Sequence, residues 1–519
     1  MNKTIRLSSV AMICAVAFVF TQCKNNKSKE AVFIDPLPSH IDSTYMASQD
    51  FFMYANNGWF KANPIPASEN GNGIFRTIQD TINNQIKSVC ESSAAKTDVA
   101  KGSNEQKIGD FYFSGMDTVA IEKAGITPLN DELKRIDGVS DLNSMVAQLA
   151  HMYRIGAGCP FGFYVNMDDK NSAQYAVFLS QGGLGLPERD YYFKNDARTA
   201  NIRTEYVKHI TAMFKLMGND DATATAAANK IMSLETDLAT SSRTMADRRD
   251  PYKNYNKMAV DAVTKLNPSI VYANFLNELG LKNVDSVVVG QPEFFSGLEK
   301  YFKKYSLADW KTYMKWNLIN SFAGYLSKPF DDQNFAFYGT ILSGTKEQKP
   351  RWKRVVEQTD GSLGELIGQV YVKDYLPAGS KEKLLEIGNN IRNVYAEHIK
   401  KLDWMSDSTK VKALSKLDKI VMKVGYPDKW KDMSNLTIDR GAYVLNVMHA
   451  NEWEFNFMLS HYGKPVDRTE WDMYPQTYNA YYNPSNNEIV VPACNILVPG
   501  FEGRMPDDAI LYGIIGGST

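Results

Sequence analysis

Histidine and its neighbours limit the chemistry that this chain's own residues can perform. The 519 residues contain six histidines, and none of them is followed by Glu. The sequence therefore lacks His-Glu-x-x-His, the motif that places two zinc ligands and a general base on one helix. It also has no Gly-x-Ser-x-Gly elbow and no Walker-type phosphate loop. His449 and Glu452 lie three positions apart and could share a helix face, but a lone pair of this kind is more typical of a surface contact than of a metal site.

The cysteines do not supply a metal or disulfide framework either. They are Cys14, Cys23, Cys90, Cys159 and Cys494, with no Cys-x-x-Cys spacing among them. The last three are predicted to form either one disulfide or three buried free thiols.

The first residues are predicted to be a signal for export rather than part of the fold. A basic start and an apolar run from residue 10 to residue 20 fit a signal peptide over residues 1–23, and the run is too short to span a bilayer. Cys23 resembles the acylated cysteine of a bacterial lipoprotein. Because Gln22 stands where a small residue is usual, plain export or an uncleaved anchor stays open. Residues 24–47 are polar and predicted to be a tether.

Composition places the remainder among soluble globular proteins of two to four domains. Hydrophobic residues make up 44% and charged residues 23% of the chain, and the formal net charge is -1. A nearly neutral chain gives no indication of a nucleic-acid partner.

Most of the chain is predicted to be helical. The clearest helix begins at the N-capping residues Ser406 and Asp407 and is predicted to stop at Gly425 and Pro427. Its apolar face would hold Val411, Leu414, Leu417, Ile420 and Val421.

Strands are fewer than helices. Residues 161–167 and 173–180 predict a hairpin, and residues 286–289 predict a further strand. A second hairpin is predicted over residues 478–482 and 488–491, with a turn rich in Asn between them. A hairpin with one free edge can bind an extended peptide by strand addition, although most hairpins bind nothing.

The second hairpin also carries a family resemblance. Its sequence, "NAYYNPSNNEIVVPA", resembles the corresponding hairpin of the neprilysin and endothelin-converting enzyme family of zinc metallopeptidases. Seven other stretches resemble that family in the same order: "DFFMYANNGWFKANPIP", "DFYFSGMD", "GLPERDYYF", "DPYKNYNKM", "RWKRVVE", "GQVYVKDY" and "LDWMSDSTK".

The resemblance implies a mainly α, two-lobed neprilysin-like (gluzincin) fold with small β elements around a cavity that admits oligopeptides. It implies an N-terminal helical domain over residues 48–430, a linking segment over residues 431–474, and the start of the catalytic domain over residues 475–519. The catalytic lobe is expected to be incomplete, because the family's His-Glu-x-x-His helix would follow Thr519 directly.

Three site residues follow from the resemblance. Asn479 and Ala480 are expected to anchor the substrate peptide, and Phe75 is expected near the pocket for the residue after the scissile bond. Gly71 and Arg76 stand where animal members carry an Arg and an Asp, so the resemblance does not fix the preference of the outer subsite.

One further stretch departs from the family. "PACNILVPGF" replaces the pattern "PAxILQPPF", and Cys494 within it has no evident role.

The function implied is that of an exported zinc metalloendopeptidase acting on oligopeptides in the bacterial cell envelope, held to the membrane through Cys23. No catalytic or metal-binding residue is expected within these 519 residues, so they are expected to bind no zinc and to be inactive as they stand. The alternative is a zinc-less peptide-binding or scaffold lipoprotein of the cell envelope.

Overall fold

A computed structural model describes Asp35, residues 37–501 and residues 504–517. The contacts within it divide the chain into two compact units, with the boundary between Asn63 and Pro64. The first unit is built around one helix, α1 (Phe51–Ala62), which is capped by Asp50. Asp42 accepts hydrogen bonds from Asn57 at 2.6 Å and Lys61 at 2.7 Å. These bonds hold the pKa of Asp42 well below its ordinary value and tie the preceding segment to the helix.

The second unit is mainly α-helical, which confirms the predicted fold class. Its first helices are α2 (Ile74–Ala95), α3 (Asn104–Met116), α4 (Thr118–Ala124), α5 (Asn130–Asp137), α6 (Leu142–Ile155), α7 (Asp190–Phe193), α8 (Ala197–Leu216), α9 (Asp221–Ser241) and α10 (Val260–Leu266). Its later helices are α11 (Tyr272–Glu278), α12 (Pro292–Lys304), α13 (Leu307–Phe322), α14 (Lys328–Asn334), α15 (Arg351–Tyr375), α16 (Ser380–Lys401), α17 (Asp407–Asp418), α18 (Tyr443–Leu459) and α19 (Asp508–Leu511).

Two small sheets are set among these helices. The first contains β1 (Phe161–Asp168), β2 (Asn171–Gln181), β3 (Asn256–Ala259) and β4 (Ser286–Val289), in the order β1-β2-β4-β3. The second contains β5 (Val421–Gly425), β6 (Tyr481–Asn483) and β7 (Glu488–Pro492), in the order β5-β7-β6. Both predicted hairpins and the strand at residues 286–289 are confirmed, although the strand predicted from residue 478 begins at Tyr481.

Two hydrophobic cores of unequal size hold most of the buried apolar residues of the described second unit, beside a third cluster of Ala176, Phe178 and Val288. The main core runs through helices α2 to α15 and helix α18, and it contains large buried aromatic side chains such as Trp310 and Trp316. Helix α2 contributes Ile78, Ile82 and Ile86, whose spacing of four places them on one helical face. The small core consists of Leu384, Ile387, Val424, Val491, Ile496, Leu511 and Ile515, with Ala480 and Ile489 packed against it.

The helix predicted from residue 407 to residue 425 is wrong in its second half. Ser406 caps it as predicted, but α17 ends at Asp418 and Val421 begins strand β5, which pairs in parallel with β7. The predicted apolar face is also wrong, because α17 buries none of its residues and Val411 is 68% exposed. Pairing with a strand about seventy residues away overrode the local helical pattern.

Cys90, Cys159 and Cys494 are free and buried, which selects the second of the two predicted alternatives for them. The predicted signal peptide, Cys14 and Cys23 lie outside the described residues. Among the helices that the structure describes, none is both long and apolar enough to cross a bilayer.

Candidate functional site

The hairpin of β6 and β7 is built by its turn and its central strand. The side-chain oxygen of Asn483 accepts the backbone N–H of Ser485 at 3.0 Å, and Asn487 adopts a left-handed conformation with a φ of 50°. Asn and Ser are suited to such turns because their short polar side chains bond to nearby backbone groups. The turn thereby fixes the register in which Tyr481 lies opposite Val490.

Among the strands that the structure describes, β6 is one edge of its sheet, since β7 lies between it and β5. An edge strand leaves one row of backbone N–H and C=O groups without strand partners, and an extended peptide can pair with that row. The free edge therefore belongs to the strand that follows Asn479 and Ala480 directly.

A buried ion pair stabilises the sheet behind this edge. The ammonium of Lys423 on β5 lies 2.7 Å from the carboxylate of Glu488 on β7, and it also donates to the carbonyl of Glu470 at 2.8 Å. Both charged side chains are almost fully buried, so each depends on the other for its stability in the folded state.

Phe75 is brought to the hairpin by helix α2. It lies in the first turn of that helix, is 56% exposed, and its ring centroid lies 5.6 Å from that of Tyr478. The fold thus places Phe75, Asn479 and Ala480 in the walls of one cavity of about 430 Å³. The three residues expected to form the site therefore meet, although they are far apart in the sequence.

The cavity is lined mainly by aromatic and apolar side chains. Its walls are Phe75, Tyr478, Asn479, Ala480, Tyr481, Tyr482, Ile489 and Asn495, without a charged side chain. Burial raises the pKa of the Tyr478 phenol to about 12 and raises that of Tyr481 as well, so both phenols are neutral at physiological pH. Such walls can accept an apolar side chain while the hairpin edge bonds to a peptide backbone.

The segment before the hairpin is fixed to helix α15. Gln476 donates to the carboxylate of Asp360 at 2.7 Å and to the carbonyl of Gly364 at 2.9 Å, next to a break in helical geometry at Leu363. A side chain at position 364 would collide with the ring of Tyr474, so glycine permits this close approach. Burial raises the pKa of Asp360 to about 6.

The two positions at which we expect a departure from animal family members lie in different surroundings. Arg76 forms ion pairs with Glu69 and, at 3.2 Å, with Asp80, whereas Gly71 adjoins open space. The guanidinium of Arg76 is thus already paired by two carboxylates of its own chain.

The residues present do not fit a zinc ion. No group of three or more His, Cys, Asp or Glu side chains within the described ranges could hold a metal. His151 and His461 each bond to one Glu, at 2.6 and 2.8 Å, and burial lowers the pKa of His209 to about 4. His449 is exposed and lines a separate surface cavity together with Glu452.

Comparison with known sequences identifies the family. The family model described as "Peptidase family M13" matches residues 47–427, which is most of the chain. The chain belongs to peptidase family M13. An endothelin-converting enzyme homologue of Locusta migratoria is 29% identical to it over 92% of this chain and 69% of that protein. Endothelin-converting enzyme 1 of Homo sapiens is 30% identical over 92% of this chain and 64% of that protein, so the M13 chain spans about two thirds of these relatives.

Solved structures agree with this assignment. Zinc metalloprotease ZMP1 of Mycobacterium tuberculosis, solved with an inhibitor, is 35% identical and superposes with a TM-score of 0.86 over 92% of this M13 chain and 72% of that chain. PepO of Lactobacillus rhamnosis HN001, at 20% identity and a TM-score of 0.79, is similar in fold over 91% of this chain and 74% of that one. The resemblance to the neprilysin family and its fold is thereby confirmed.

The sequence did not single out Asn495, a further residue in the wall of the cavity. It lies within "PACNILVPGF", and the expected departure of that stretch from the family pattern was the one signal in the sequence that pointed to this segment.

Proposed function

We propose that this M13 chain belongs to an exported metalloendopeptidase that cleaves oligopeptides. Its own residues would hold the substrate peptide. The observation that carries this proposal is the meeting of Phe75, Asn479 and Ala480 in one cavity at the free edge of β6. Its relatives include a zinc metalloprotease and endothelin-converting enzymes, which supports peptide hydrolysis as the family reaction.

The backbone of the peptide would bond to Asn479 and Ala480. Asn479 is exposed, and its side-chain nitrogen forms no hydrogen bond within the described residues. The carbonyl of Ala480 likewise accepts no bond from those residues. The first group can donate to a peptide carbonyl and the second can accept a peptide N–H, which is the exchange that an antiparallel strand requires.

A side chain of the peptide would fill the aromatic cavity. Phe75 and Tyr478 present apolar ring surface there, and transfer of an apolar side chain from water to such surface stabilises binding by about 1.5–3 kcal/mol. Because the walls carry no charge, we expect a peptide with Leu or Phe at this position to bind more tightly than one with Asp or Lys.

Hydrolysis is a separate matter, because the residues described here assemble no zinc site. We expect the 519-residue chain to bind no stoichiometric zinc and to hydrolyse no peptide. Metal analysis after dialysis and a quenched fluorescent peptide assay would check this expectation. Peptide turnover that a chelator abolishes would contradict it.

Export and anchoring form part of the same proposal. A signal over residues 1–23 would direct export, and a lipid on Cys23 would hold the protein in the bacterial cell envelope. The domain limits that we propose are residues 48–430, 431–474 and 475–519. Incorporation of labelled palmitate into the expressed chain, and its loss in Cys23→Ala, would test the anchor.

Peptide binding is tested on the intact chain with Asn479→Ala. The probe is a fluorescein-labelled, end-blocked decapeptide with central leucines, and the measurement is its fluorescence polarisation. Losing one or two hydrogen bonds, each worth about 0.5–1.5 kcal/mol, should weaken affinity roughly tenfold and leave the melting temperature nearly unchanged.

Asn451→Ala is the matched control, because the Asn451 side chain donates to the carbonyl of Ile155 on α6, away from the hairpin. If Asn479 only shapes the hairpin, Asn479→Ala would lower the melting temperature and preserve affinity. A wild-type chain that binds no peptide would favour the scaffold lipoprotein instead.

A further inference from the structure

Asn495 is held firmly beside the peptide site. It lies in a short 3-10 helix, Ala493–Ile496, whose four residues are all buried. The backbone N–H of Cys494 donates to the carbonyl of Pro475 at 2.9 Å, which joins this helix to the turn that precedes Asn479. Asn495 is itself only 7% exposed. Its side chain therefore projects from a fixed base.

The side-chain nitrogen of Asn495 bonds to two backbone carbonyls. It donates to Asn479 at 2.8 Å and to Pro492 at 2.9 Å. On the other side of the same peptide unit, the N–H of Ala480 donates to the side-chain oxygen of Asn479 at 2.8 Å. The peptide unit between Asn479 and Ala480 is thus bonded at both its C=O and its N–H.

We propose that Asn495 is a positioning residue for peptide binding, which sets the direction of the Ala480 carbonyl by holding the carbonyl of Asn479; this inference rests on the proposed function. In an extended backbone, successive carbonyls point to opposite sides. Since the Asn479 carbonyl is turned inward to Asn495, the next carbonyl is turned outward to the free edge. There it can accept an N–H from a peptide.

The residue type fits this task. One amide nitrogen carries two N–H donors, which matches two carbonyl acceptors, whereas a hydroxyl has one donor and an ionised carboxylate has none. Asn495→Asp therefore keeps the shape of the side chain and removes its donors at neutral pH. At acid pH the protonated carboxyl has one O–H and restores one of the two bonds.

The first measurement is amide hydrogen exchange of the intact chain, read on the segment from residue 477 to residue 483. We expect Asn495→Ala and Asn495→Asp at pH 7 to speed exchange there about threefold to tenfold, with the rest of the chain and the control Asn451→Ala unchanged. Unchanged exchange in this segment would overturn the proposal whether or not the chain binds peptide.

The second measurement is affinity for the same labelled decapeptide. We expect both variants to bind about threefold to tenfold more weakly at pH 7, and Asn495→Asp, unlike Asn495→Ala, to recover toward wild-type affinity as the pH falls. Faster exchange with unchanged affinity would show that Asn495 does not position the binding groups, and would overturn the proposal.

The two measurements separate this inference from the function on which it rests. If the wild type binds no peptide, the proposed function fails and the exchange result still decides whether Asn495 fixes the segment. If Asn495→Ala does not fold, Asn495→Asp is compared at pH 5 and pH 7. Because the intrinsic rate of amide exchange rises with pH, the exchange of residues 477–483 is expressed as protection relative to wild type at the same pH. Relative protection and relative affinity that do not differ between the two pH values would then overturn the proposal.

Discussion

The two cores of the second unit differ in size and in kind of side chain. The main core contains Trp, Tyr and Phe rings as well as aliphatic residues, and it buries polar groups such as Glu235 within a hydrogen-bond network. The small core has seven buried residues, all of them aliphatic, and no ring among them. The peptide site depends on both, because Phe75 lies on a helix of the main core whereas Ala480 and Ile489 pack on the small one.

This difference indicates where the site is rigid and where it can open. A core of many interlocked rings loses its packing as a whole, whereas a small aliphatic cluster contributes little burial and can open locally. We therefore expect the small core, with β5, β6 and β7, to open locally more often than the main core.

The largest expected effect is that of Trp316→Ala in the main core. Trp316 is fully buried and donates from its indole nitrogen to the hydroxyl of Tyr206 at 3.1 Å. Its removal leaves a cavity and takes one of the hydrogen bonds from the Tyr206 hydroxyl, so the free energy of unfolding should fall by about 3–5 kcal/mol. Urea unfolding followed by tryptophan fluorescence and by circular dichroism measures this change.

Trp404→Ala is the control for that substitution, because Trp404 is 73% exposed and its loss should change the free energy of unfolding by less than about 0.5 kcal/mol. Equal effects of the two substitutions would refute the role assigned to the main core.

A smaller and more local effect is expected from Ile387→Ala in the small core. Ile387 on α16 is 1% exposed, and its truncation should cost about 2–3 kcal/mol, toward the lower end of the range for such changes. Hydrogen exchange should rise in β5, β6 and β7 and remain unchanged in α2.

Val394→Ala, on the same helix but 55% exposed, is the matched control for Ile387→Ala. If Ile387→Ala raised exchange equally in both cores, the two would form one cooperative unit and the comparison would fail.

The smallest expected effect is a pH dependence of the free energy of unfolding, caused by one carboxyl group in the main core. Glu235 accepts hydrogen bonds from Tyr192 at 2.7 Å and Tyr206 at 3.0 Å, and burial raises its pKa to about 7. The folded state therefore keeps its proton while the unfolded chain releases it above a pH of about 4.5. Stability should fall between pH 4.5 and pH 7, by a total on the order of 1–3 kcal/mol.

Glu235→Gln should remove this dependence, because glutamine stays neutral throughout. The difference in unfolding free energy between wild type and Glu235→Gln, measured at steps from pH 4.5 to pH 7.5, isolates this one carboxyl from the others. A difference that does not vary with pH would contradict the assignment.

Local patterns predicted those parts of the fold that depend on neighbours in sequence. The hairpin of β1 and β2 and the cap at Ser406 follow from turn residues and capping residues that lie within a few positions. Strand β5 was missed because its partner β7 lies far along the chain, and a short apolar run fits either a helix or a strand.

The candidate site shows the same limit. The family resemblance predicted Asn479 from the hairpin and Phe75 from a separate stretch, and so brought together positions that periodicity cannot connect. Asn495 was missed because its side chain bonds to the backbone carbonyl of Asn479, which lies sixteen residues earlier in the chain. No local sequence pattern predicts such a contact.

The three buried thiols can report on local opening of the structure, because each reacts only when its surroundings open. Burial raises the pKa of Cys90, Cys159 and Cys494, so each sulfur is protonated and inert toward alkylating reagents until its surroundings open. Cys494 packs with the main core, whereas its neighbour Ile496 packs with the small one. The rate of alkylation at Cys494, compared with the rates at Cys90 and Cys159, thus measures how often the structure opens between the two cores.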